Sequence, residues 1–168
     1  MDSKFTVGII VSNHFGVLNR VAGLYAKRGY NIDSLAVGET ENPEYSRMTI
    51  VSTGDEYMKN QVLRQLEKLR DVKMACILDE DNSVSIEHML IKLKVAVAGK
   101  AAISELINDN GGKVMDFSDE FITAEITGSS EKIERFIDAA RRIGILEVCR
   151  SGLISMVRGT EAILGVKG

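Results

Sequence analysis

The chain contains no tryptophan, and aromatic residues make up only 5% of its 168 positions. Any core must therefore be aliphatic. It has one proline, Pro43, and no low-complexity linker. Cysteine occurs twice, and Cys76 and Cys149 are too far apart for a Cys-x-x-Cys motif or a disulfide framework. Both lie in apolar, strand-like runs and read as buried, inert thiols. The two histidines, His14 and His88, show no zinc-ligand spacing with those cysteines. Net charge is −3, and the densest basic runs, Lys92/Lys94 and Arg141-Arg142, read as solvated faces of a strand and a helix. Without a basic stripe, nucleic acid is not an expected partner. No window reaches about 18 unbroken apolar residues, and no apolar signal core follows the N-terminus. The expectation is a cytoplasmic protein with no membrane partner.

What is present is an ordinary globular composition, 45% hydrophobic and 27% charged, arranged in two similar halves. Residues 5–11 read as a strand, and 16–28 as a helix with Leu18, Val21, Ala22 and Tyr25 at i, i+3, i+4, i+7 spacing. Gly29 ends that helix. Residues 31–38 and 45–52 are strands around a turn at 41–44. Asp55 caps a helix carrying Met58, Val62, Leu66 and Leu69, and residues 72–78 form a fourth strand. The charged run 79–83 is the domain boundary. The order then repeats: an alternating strand over 88–98, a helix over 101–110, a hairpin of 113–117 with 121–127, a helix capped at Ser129/Ser130, and a closing strand over 145–150.

Each half is thus β-α-β-β-α-β. The predicted class is α+β, two ferredoxin-like domains in tandem over residues 1–80 and 84–168. The sheet face away from the helices needs a cover, and Ala36, Val37 and Ile50 offer apolar side chains for a second copy; free edge strands also favour a homodimer. The tail, residues 155–168, holds Met156, Val157, Ile163 and Leu164, and reads either as a final helix or as a contact surface.

No nucleophile with a base, metal cluster or phosphate loop emerges. His14 and His88 lack the sequence neighbours that acid–base catalysis needs. The acidic pairs Glu80-Asp81 and Asp119-Glu120 read as solvated turns without the oxygen array of a Ca²⁺ or Mg²⁺ site. RNA-binding domains of the same topology stack bases on strand aromatics, whereas the third strand has Tyr45 only at its start. An acylphosphatase-like enzyme would need an arginine within residues 12–17, and none is there.

The candidate site is the turn Ser12-Asn13-His14-Phe15-Gly16-Val17-Leu18 between the first strand and helix. Such a turn presents free N–H groups and the positive end of a helix dipole, suited to a small anion or an amino-acid carboxylate. It reads either as a polar strand-to-helix connection or as a binding loop in which the Asn13 amide fixes polar groups of a ligand. Asn31 reads as a turn residue, or as an amide reaching the loop of a neighbouring chain.

Asn13-x-x-Gly16-x-Leu18 resembles the ligand loop of an ACT domain, a small-molecule regulatory module. The longer run Arg28-Gly29-Tyr30-Asn31-Ile32-Asp33-Ser34-Leu35, then Ser46-Arg47-Met48-Thr49-Ile50, is similar to the regulatory (small) subunit of acetohydroxyacid synthase, also called acetolactate synthase. Arg150-Ser151-Gly152 and Arg158-Gly159 fit the same family, so the resemblance spans essentially the whole chain.

The resemblance implies a non-catalytic subunit that activates a large catalytic subunit. That partner carries thiamine diphosphate, Mg²⁺ and FAD, while this chain carries no cofactor. It also implies feedback inhibition in branched-chain amino-acid synthesis, with valine as the expected effector and leucine or isoleucine as the alternatives to it. The effector would lie between the ACT domains of a homodimer, contacting Asn13, His14, Phe15, Gly16, Val17 and Leu18. Asn31 of the partner chain would add a polar contact, and Ile32 an apolar wall. The competing reading is a free-standing amino-acid sensor or transcriptional co-regulator.

Overall fold

The computed structural model describes residues 2–159. Contacts divide the chain into two units. One runs to Ser85 and resumes at Leu153, and the other is Ile86–Gly152.

The first unit contains β1 (Ser3–Ser12), α1 (Val17–Lys27), β2 (Ser34–Glu39), β3 (Tyr45–Gly54), α2 (Glu56–Leu66) and β4 (Val72–Ile77). Its antiparallel sheet has the order β2-β3-β1-β4. Alternation along β1 sends Phe5, Val7, Ile9 and Val11 to one face, where they pack with Val17, Val21 and Tyr25 of α1 and Val62 and Leu66 of α2. The Asp55 carboxylate accepts from the Met58 N–H at 2.7 Å and so caps α2. Gly29, at φ 68°, ends α1, and the Tyr30 N–H reaches back to the Tyr25 carbonyl at 3.0 Å.

The second unit repeats the plan with β5 (Ser83–Lys94), α3 (Val95–Asp109), β6 (Lys113–Phe117), β7 (Phe121–Gly128), α4 (Ser130–Arg141) and β8 (Ile145–Val157), in sheet order β6-β7-β5-β8. Met89, Ile91 and Leu93 pack with Ile122, Ala124 and Ile126 beneath Ile103, Ile107, Ile133 and Phe136. The Ser129 hydroxyl accepts from the Lys132 N–H at 3.2 Å, capping α4. The predicted pair of βαββαβ domains is the observed fold. No helix among the described residues is long and apolar enough to cross a membrane.

Several expectations need correction. The strand expected over 88–98 stops at Lys94, which lies opposite Phe121, the first residue of β7. Past that point no partner strand remains, so residues 95–98 coil into a helical turn that kinks at Gly99 (φ 77°), leaving Val97 68% exposed. Residues 31–33 precede β2 instead of opening it. Ile50, expected on the outer sheet face, lies opposite Val7 and is fully buried beneath the helices. Cys149 is exposed and Cys76 only half-buried.

The 84–168 domain boundary also shifts, because the chain re-enters the first unit at Leu153. There the end of β8 covers part of the sheet face away from the helices, with Val157 packed beside Ile10, Leu78, Tyr45 and Cys76. Some of the cover assigned to a second copy thus comes from this chain itself. Ile163 and Leu164 of the tail lie outside the described residues.

Candidate functional site

Residues 13–16 leave β1 and re-aim the chain into α1. Gly16 stands at the N-cap with φ 86° and ψ −6°, a left-handed conformation that glycine adopts without strain. No side chain caps the helix. The Val17 N–H already donates to the His14 carbonyl at 3.4 Å; the other opening N–H groups of α1 have no intrahelical acceptors and stand, with the helix dipole, toward whatever approaches the turn.

Three contacts hold the turn on one flank. The Ser12 N–H donates to the Asp71 carbonyl at 2.8 Å, His14 Nε2 lies 3.1 Å from Asp71 Oδ1, and Arg20 Nη1 donates to Asp71 Oδ2. One residue just before β4 therefore clamps the end of β1, the turn and the first turn of α1. Burial alone would raise the Asp71 carboxyl, but Arg20 and His14 outweigh it and hold the group below the ordinary carboxylate range. His14 Nδ1 lies 3.1 Å from the Phe15 carbonyl. Both ring nitrogens thus face acceptors: a neutral ring serves one of them and an imidazolium both.

On the other flank the Asn13 N–H donates to the Glu44 carbonyl at 2.7 Å. Asn13 Nδ2 donates to Glu39 Oε2 at 3.0 Å and to the Pro43 carbonyl at 2.9 Å. The amide expected to grip a ligand through its nitrogen instead braces the β2–β3 hairpin, and its Oδ1 takes no part in those bonds. Phe15 is wholly exposed and Leu18 45% exposed, whereas Val17 is buried in the first core.

Asn31 and Ile32 sit on the loop between α1 and β2. Asn31 Nδ2 donates to Asp33 Oδ1 at 2.6 Å, and Asp33 Oδ2 accepts from Thr53 at 2.7 Å. Ile32 is half-buried against the first core. No described hydrogen bond joins Asn31 to the turn. The structure therefore gathers residues 13–18 into one turn, with Ile32 packed against the core that Val17 of that turn enters. Sequence reasoning missed Asp71, Arg20 and Glu39. Arg20 carried a readable signal, since it is one helical turn beyond Gly16; Asp71 and Glu39 are distant in sequence and carried none.

This geometry can hold an anion by N–H groups and a polar ligand by amides. Among the described residues no three His, Cys, Asp or Glu side chains converge where a metal ion could sit.

A profile described as an AHAS small subunit-like ACT domain matches residues 7–74, and one described as the small subunit of acetolactate synthase matches residues 86–159. The acetolactate synthase small subunit of Mycolicibacterium smegmatis is 41% identical over 96% of this chain and 95% of its own length. The chain belongs to the acetolactate synthase small-subunit family. The isozyme 3 small subunit of Salmonella typhimurium is 36% identical over 92% of this chain and 96% of its own. The crystal structure of the Thermotoga maritima small subunit superposes with a TM-score of 0.87 at 35% identity, covering 95% of this chain and 99% of that one. The turn at 13–18 thus lies in the ACT domain of a small subunit, and family membership places the chain in a regulatory role beside a catalytic subunit.

Proposed function

We propose that this chain activates the catalytic subunit of acetolactate synthase and makes it sensitive to feedback inhibition by valine. The observation that carries the reading is the uncapped start of α1 behind Gly16, braced on one flank by Asp71 and on the other by the β2–β3 hairpin. A rigid turn loses little entropy when a ligand arrives, which favours binding. The valine carboxylate takes the free N–H groups of the turn, and Asn13 Oδ1 accepts from the ammonium. Leu18 and Ile32 supply apolar contact. Two copies of the chain form the full site, with Asn31 contributed across the dimer. The acetolactate chemistry, with thiamine diphosphate, Mg²⁺ and FAD, belongs to the catalytic subunit.

Regulation is then a linkage effect. Valine shifts the complex between states only as far as it binds them differently, and a coupling of roughly 1–3 kcal/mol is typical. The test is reconstitution of the full chain with the catalytic subunit, with and without valine. Activation that valine reverses supports the reading. A catalytic subunit indifferent to the chain, or a complex indifferent to valine, leucine and isoleucine, overturns it.

A further inference from the structure

The loop that carries Asn31 is tied directly to the point where the chain re-enters the first unit. Asp33 accepts from Asn31 and Thr53, its N–H donates to the Val51 carbonyl at 2.8 Å, and the next residue is Ser34. Ser34 Oγ accepts from the N–H of Leu153 at 3.1 Å. Leu153 is the first residue of β8 that belongs to this unit, and the residue before it, Gly152, has φ 75°. A left-handed glycine in the middle of a strand marks a bend.

Past the bend β8 is held firmly. Arg47 Nη2 donates to the Ser155 carbonyl at 2.6 Å, the Ser85 and Ser155 hydroxyls are 2.7 Å apart, and the Arg158 N–H reaches the Asn82 carbonyl at 2.8 Å. Ser155 is 1% exposed. Burial pulls the Arg47 guanidinium below its ordinary value, and its Nε is buried without a partner. Burying a cation is unfavourable unless its hydrogen bonds compensate, so this arginine is tolerated here for the strand it grips.

We propose that Ser34 is a positioning residue that passes occupancy of the effector site to the returning end of β8, with Arg47 as the fixed grip beside it. The inference rests on the effector reading above and assigns its regulatory output. An effector that engages the Asn31 amide removes a donor from Asp33. The exposed Asp33 carboxylate then relaxes toward Thr53, its remaining partner, and Ser34, the next residue, shifts against the Leu153 N–H. Because Leu153 opens the part of β8 that belongs to this unit, a shift there is passed along Leu153–Val157, the stretch that Arg47 grips at Ser155.

The experiment uses the full chain, alone for valine calorimetry and reconstituted with the catalytic subunit for inhibition. Ser34→Ala is expected to bind valine within about twofold of wild type, yet to need at least about fivefold more valine for half-inhibition, the lower end of typical couplings. Ser34→Thr, which keeps the hydroxyl, is expected to restore wild-type inhibition. A Ser34→Ala chain inhibited like wild type overturns the proposal, and so does one that loses binding and inhibition in step, the mark of a merely structural residue. A wild-type chain that binds no branched-chain amino acid overturns the effector reading itself and the relay with it.

Discussion

Replacing Gly16 with aspartate separates the two roles the structure gives this residue. Its φ of 86° is left-handed, and a non-glycine residue there costs roughly 1–2 kcal/mol. Space is not the obstacle, because a Cβ at Gly16 meets only Arg20 Nη2, at 3.9 Å. Aspartate tolerates this conformation better than most residues, and as an N-cap it exceeds glycine by only about a few tenths of a kcal/mol. The strain outweighs the cap, so Gly16→Asp is expected to be roughly 1 kcal/mol less stable than wild type. Binding is another matter. The new carboxylate occupies the N–H groups proposed for the effector. Two negative charges about 4–5 Å apart repel by roughly 3–4 kcal/mol at an effective dielectric near 20. That is a loss of roughly 10²–10³ in valine affinity. Gly16→Ala carries the strain without the charge, and should lose about 1–2 kcal/mol of stability but only about tenfold in affinity. Calorimetric titration with valine and urea unfolding of both variants measure these terms. If Gly16→Asp binds valine within a few-fold of wild type, or if alanine weakens binding as much as aspartate, the electrostatic reasoning is refuted.

Asn13→Ala removes two donors from the β2–β3 hairpin and is expected to weaken valine at least about tenfold; unchanged affinity by calorimetry sinks the role of Asn13. Asp71→Asn tests the clamp by pH. A carboxyl held below its ordinary value near 3.9 stabilises the fold above that pH, and the effect fades as the pH drops further. The stability gap between wild type and Asp71→Asn should therefore be full above about pH 4 and shrink below it; a gap constant through acid titration contradicts the assignment. Gly112→Ala should lower the melting temperature by destabilising the second unit by about 1–3 kcal/mol. The added Cβ would run into Ile126, lie 2.9 Å from the Glu125 carbonyl and lie 3.0 Å from Ile107 Cγ2. Unfolding at the wild-type temperature would show that the backbone yields there. Ile91→Ala opens a cavity in the same core and should remove roughly 2–5 kcal/mol, read as a lower urea midpoint.

Periodicity and punctuation determined the repeated βαββαβ order, the core-facing stripe of each helix, the caps at Asp55 and Ser129, and the turn that opens α1. All of these are short-range: alternation along a strand, 3.6-residue spacing along a helix, and a side chain bonding an N–H a few residues away. Tertiary structure alone decided that Ile50 points beneath the helices, because strand register sets which face a residue takes. It alone decided that β5 stops at Lys94, since a strand lasts only as long as its neighbour. The same holds for Asp71 at the turn, the Asn13 amide turned toward Glu39, and β8 returning over the first sheet. Each joins residues far apart along the chain, and only the packing of distant segments brings such groups within hydrogen-bonding range.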